Sequence, residues 1–200
     1  MSILLLLFSF VGIIVFLFFL WRGLREDYKV NEIFSFGFHV IIFMIIGLLV
    51  SLIFYKTAWF WLSYVGAIIG FVIGLNRAKI KFLDGLETAV LSFFYLFEVV
   101  LVGFFLNLYS PLSFAIMVFV LWLLLLFYFL RGKYKSFGWY KSGRIGFSSL
   151  AVLIIFFASR VPVAIFFPDM ISFLGKFDAI PSLLVCLFFI FILIRLSKGL

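Results

Sequence analysis

Long apolar runs alternate with short polar breaks along the whole chain, and the breaks differ sharply in charge. Seven runs can be drawn, at approximately 3–21, 33–54, 58–75, 85–108, 112–130, 146–167 and 180–195. A hydrocarbon core of ~30 Å takes roughly 17–25 apolar residues of helix at 1.5 Å per residue, and the runs fit that length. They predict an all-α integral membrane protein with seven transmembrane helices, a single polytopic domain over residues 1–200. No internal repeat of about 20–50 residues is visible, nor an inverted half-to-half pattern of broken helices, which argues against a secondary transporter.

The breaks set the topology. Arg22, Arg25 and Lys29 follow the first run, Arg77, Lys79 and Lys81 the third, and Arg131, Lys133, Lys135, Lys141 and Arg144 the fifth, while Arg195 and Lys198 end the chain. The alternate breaks hold only Lys56 and Lys176. Thirteen basic residues therefore fall on one side and two on the other. Loops rich in Lys and Arg stay in the cytoplasm, so the N-terminus is expected outside and the C-terminus inside. No basic residues precede the first run and no small-residue cleavage site follows it, so residues 4–20 are expected to be a retained span.

Composition agrees. Of 200 residues, 68% are hydrophobic and 12% charged, and the mean hydropathy is +1.38. A soluble domain is about 45–50% apolar. The formal net charge of +8 would suggest nucleic acid in a soluble protein. Here it belongs to membrane topology, and no nucleic-acid partner is expected. With Cys186 the only cysteine, no disulfide, metal cluster or cofactor motif is expected.

Few side chains can carry chemistry. Arg160 lies in the sixth run, roughly 10 Å from the nearer surface at 1.5 Å per residue. A charge at membrane depth costs on the order of 2.5–3.5 kcal/mol, so it is expected to have a partner or a task. Glu98, near the middle of the fourth run, is the acid expected to pair with it. Pro162 follows Arg160 by two residues and predicts a kink. His39 is expected to hydrogen-bond between helices. Asn107 ends the fourth run. Asn31–Glu32 and Asp84–Glu87 place acids at helix starts, where the helix dipole favours them. Lys133, Lys135, Lys141 and Arg144, interleaved with Tyr134, Trp139 and Tyr140, read as a topology signal and interfacial belt able to touch anionic lipid.

Ser63-Tyr64-Val65-Gly66-Ala67-Ile68-Ile69-Gly70 is similar to the S-F-H-G-G-L-I-G segment of bacterial prolipoprotein diacylglyceryl transferases, and Asp84 opens the fourth span as an Asp often does in that family. Gly103-Phe104-Phe105-Leu106-Asn107 falls on the end of the signature G-R-x-G-N-F-x-N-x-E. The basic loop with Gly138, and the run ending Phe157-Ala158-Ser159-Arg160, resemble the approach to a sixth span bearing a functional Arg. The resemblance implies the same seven-span topology in the bacterial cytoplasmic membrane. It also implies an outward pocket for phosphatidylglycerol near Arg160, Asn107, Gly66, Gly70 and Gly103, and lipoprotein precursors as partners. The family reaction moves diacylglyceryl from phosphatidylglycerol to a lipobox cysteine thiol. The family's His is Val65 here, its signature Arg is Leu101, its first Asn is Phe104, its closing Glu falls near Tyr109, and no Tyr stands in the first span. The large head between spans four and five is reduced to Tyr109-Ser110-Pro111. Val65 cannot move a proton and Leu101 cannot hold a phosphate, so the expectation is an inactive relative that retains a lipid pocket.

The alternative is a non-enzymatic membrane scaffold or assembly partner in which Glu98 and Arg160 form a structural pair. Small seven-span glycerol-phosphate acyltransferases match in size, but their S-G-N-x-G-A-T-N loop has no counterpart. A channel is disfavoured because no ring of polar residues lines a span.

Overall fold

The computed structural model describes residues 3–137, 140, 145–169 and 174–198. The fold is all-helical, 89% helix, with no strand among the described residues. Seven helices follow one another: α1 (Ile3–Leu24), α2 (Val30–Phe54), α3 (Trp59–Ala78), α4 (Phe82–Leu108), α5 (Pro111–Lys133), α6 (Phe147–Phe166) and α7 (Ala179–Ser197). Each is long and apolar enough to cross a membrane, α3, α5 and α7 together with adjoining 3₁₀ turns. The expected spans are met within a few residues. The third, expected over 58–75, runs on to Ala78 and brings Arg77 into its last turn, where a long cationic side chain can reach the headgroups.

Local chemistry accounts for the helix ends. Glu32 Oε2 accepts the Lys29 N–H at 3.1 Å and fixes the start of α2. Tyr109 closes α4 in the left-handed region at φ 47°, its N–H reaching Phe105 O at 2.8 Å. Pro111 then starts α5, where its missing N–H leaves no gap. Pro162 sits inside α6, and the helix continues past it to Phe166.

Lipid tails are as apolar as leucine, so helices in a membrane associate through close packing and internal polar contacts. Glycines make that packing possible between α2 and α3. A Cβ on Gly66 would stand 2.2 Å from Phe43 O, one on Gly70 2.4 Å from His39 O, and one on Gly47 2.1 Å from Leu62 O. The two backbones thus touch along their lengths. A second pair, α1 with α4, packs Gly12 on Leu96 and Val100, Gly23 on Thr88, and Gly103 on Phe8. Two apolar clusters result. One gathers Phe16, Leu20, Ile33 and Phe36 with the inner faces of α3 and α4. The other gathers Phe60, Phe94, Val120, Leu150, Phe157 and Phe189 from α3 to α7.

Helix direction alternates, so the starts of α3 and α7 share one end of the molecule with the finish of α6. The opposite end carries the basic breaks after α1, α3 and α5, and is called the basic end below.

Candidate functional site

Arg160 is buried, 7% exposed, near the finish of α6. Its Nη2 donates to Asp178 Oδ2 at 2.7 Å. Asp178 is fully buried and ends the 3₁₀ turn that leads into α7. Its other oxygen, Oδ1, accepts Trp61 Nε1–H from α3 at 2.6 Å, and Ser182 Oγ donates to Oδ2 at 3.3 Å. Asp178 also stands at the positive end of the α7 dipole. The guanidinium lies over the Phe60 ring at 3.9 Å and faces Trp61 at 5.8 Å. The cation is thus held by an acid and by two aromatic rings, and three helices are tied together at one level.

Two sequence expectations are corrected here. Arg160 pairs with Asp178, not with Glu98. Phe60 and Trp61 at the start of α3 meet Phe156 and Phe157 of α6, and the turn into α7 brings Asp178 to the guanidinium and to the Trp61 indole. Glu98 Oε2 is buried and has no hydrogen-bond partner among the described residues. Nor do the residues expected around a lipid headgroup converge. Gly66 and Gly70 press on the backbone of α2, and Gly103 presses on Phe8 of α1, so the face where each glycine lacks a side chain is filled by a neighbouring helix. Val65 is exposed on the outer surface of α3, whereas Leu101 is buried in the larger apolar cluster. Asn107 is exposed at the finish of α4.

His39 is half-buried, and its Nδ1 lies 2.6 Å from Ser35 O on its own helix, one turn back. The hydrogen bond found is thus a local one within α2, not the expected bond between helices.

The basic end holds a second polar group that the sequence reading does not assemble. Glu87, 5% exposed, accepts the Gly146 N–H at 2.6 Å and faces Arg131 Nε at 3.5 Å. Gly146 adopts φ +111°, a conformation open to glycine, and this aims its N–H at the carboxylate. Asp84 opens α4 at the basic end, as expected of a helix-start acid. It accepts the Tyr28 hydroxyl at 2.8 Å, and the same hydroxyl accepts the Lys81 N–H at 3.1 Å. Burial pushes the Tyr28 phenol above its ordinary pKa, partly offset by the Lys81 N–H. Tyr134 and Tyr140, expected in an interfacial belt, are buried against Phe147, with ring centroids 6.4 and 4.9 Å away. Gly138, Trp139, Lys141 and Arg144 lie outside the described residues.

Asp178 and Trp61 are thus the polar residues that sequence reasoning misses, and Glu87, expected only as a helix-start acid, proves to be buried against Gly146 and Arg131. For Asp178 a signal exists, since alternation of helix direction places the break after α6 at the same end as Arg160. No group of three or more His, Cys, Asp or Glu side chains able to hold a metal occurs among the described residues. Comparison with family models, with curated proteins and with solved structures gives no match to this chain.

Proposed function

We propose that this chain is a non-enzymatic multi-span membrane protein that serves as a scaffold or assembly partner. The observation that supports it most is the use of Arg160 inside the fold. The one strong candidate for holding a substrate phosphate is neutralised by Asp178 and flanked by Phe60 and Trp61. The charge asymmetry of the breaks favours an outside N-terminus and a cytoplasmic C-terminus.

A second reading stays with the resemblance: a divergent relative of the prolipoprotein diacylglyceryl transferases in the bacterial cytoplasmic membrane, binding phosphatidylglycerol without transferring it. The seven-helix layout and the chain order of the similar segments favour it. In this reading Asn107, exposed beyond the packed part of α4, is the residue best placed to meet a headgroup.

Two measurements test the proposal. Purified protein incubated with phosphatidylglycerol and a lipobox peptide is expected to leave the cysteine thiol unmodified; a diacylglyceryl adduct overturns the non-enzymatic reading. Photo-crosslinking residues at the lipid-facing positions Ile42, Leu125 and Leu184, on three different helices, are expected to yield a discrete protein adduct from one face in native membranes. Lipid adducts alone at every face overturn the scaffold reading and favour the second.

A further inference from the structure

We propose that the basic end carries a binding site for the phosphate-bearing headgroup of an anionic phospholipid, in a cleft between the first turn of α4 and the last turn of α5. This inference is independent of the function proposed above. Two adjoining cavities of about 610 and 330 Å³ share Tyr134, Lys135 and Ile145 as walls. Lys81, Phe82, Leu83 and Asp84 complete the larger one, and Glu87, Arg131 and Gly132 the smaller. Their volumes suit a headgroup with its glycerol.

Charge accounting favours an anion. Three cations, Lys81, Arg131 and Lys135, face two acids. Glu87 is engaged by Arg131 and the Gly146 N–H, and Asp84 by the Tyr28 hydroxyl. No ion pair joins Lys81 or Lys135 to an acid among the described residues. Both ammonium groups are exposed and border the same cleft. Lys135 also lies over the Tyr134 ring at 5.9 Å, which holds it at the cavity wall.

The surroundings favour a lipid over a free anion. Phe82 and Ile145 line the larger cavity and are 51% and 47% exposed, so an apolar surface continues outward from the lysines. A headgroup at the lysines would leave its acyl chains on that surface. Basic clefts at the ends of membrane helices take anionic headgroups on these terms.

The test uses the full chain in neutral detergent, titrated with phosphatidylglycerol, phosphatidylcholine or inorganic phosphate and read by native mass spectrometry. Two variants probe the site. Lys81→Ala with Lys135→Ala removes the two cations that no ion pair joins to an acid among the described residues. Gly132→Trp keeps every charge and adds bulk at the wall of the smaller cavity, where a Cβ meets nothing within 4 Å. Each lysine near a membrane surface contributes about fivefold to anionic-lipid binding, so the double variant is expected to lose up to ~30-fold. Preferential retention of phosphatidylglycerol over phosphatidylcholine, weakened in both variants, supports the site. Equal retention of the two lipids overturns it. So does a preference that survives Gly132→Trp, which would mark general surface charge in place of a cleft. Binding of inorganic phosphate without lipid preference overturns the lipid assignment.

Discussion

Arg160 and Asp178 meet at 2.7 Å, eighteen positions apart in the chain, with the acid fully buried and the base nearly so. A pair sealed in this way is costly to break, because removing one partner strands the other without water. Arg160→Ala or Asp178→Ala is therefore expected to lower stability by about 3–5 kcal/mol. Replacing both, as Arg160→Met with Asp178→Leu, is expected to recover most of the loss. Thermal unfolding of the four proteins in one detergent measures the coupling. Glu98→Gln should add independently to Arg160→Ala in the same assay, since no bond links the two.

Trp61→Phe separates the indole's hydrogen bond from its ring. The ring stays near the guanidinium, but Asp178 Oδ1 loses a donor at 2.6 Å. A loss of about 1–3 kcal/mol is expected for a buried acceptor left short of a partner. An unchanged melting temperature would mean that the ring alone matters.

How much of this is legible in the sequence depends on the range of the forces involved. Each span follows from the apolar content of its own segment, so seven helices and their ends are readable to within a few residues. Pairing across the bundle is not local. Glu98 attracts notice as an acid within an apolar run, yet the acid that reaches Arg160 is Asp178, in a polar break that looks unremarkable. Gly66 and Gly70 illustrate the same limit. Their spacing of four fits a ligand-binding segment and a helix-packing stripe equally well, and only the approach of Phe43 O and His39 O decides for packing.

That stripe gives a sharp contrast among glycines. Gly70→Leu would drive a Cβ into the His39 carbonyl and separate α2 from α3, so loss of the monodisperse folded species on size-exclusion chromatography is expected. Gly132→Ala, whose Cβ meets open space near the end of α5, is expected to be neutral or to stabilise by up to about 1 kcal/mol. Equal damage from both would contradict the close contact of α2 and α3.

The buried Glu87 and the half-buried Glu98 should part company as well. Glu98→Leu removes an oxygen that has no hydrogen-bond partner among the described residues and is expected to leave the melting temperature unchanged or raised. Glu87→Leu strands the buried Gly146 N–H, while the half-exposed Arg131 side chain turns to solvent, and is expected to cost about 1–3 kcal/mol. Circular-dichroism melts of both variants distinguish them.

The order of synthesis gives the Arg160 cluster one more meaning. The chain is made from its N-terminus, so α6 and its guanidinium leave the ribosome ahead of Asp178, which follows eighteen residues behind. Phe60 and Trp61, made some hundred residues earlier, are by then available in α3. During that interval the two rings are the established contacts already present for the incoming cation, and the acid arrives last to lock it. Insertion of α6 should therefore depend on an aromatic surface laid down by α3, which makes the third helix a guide for the sixth during biogenesis.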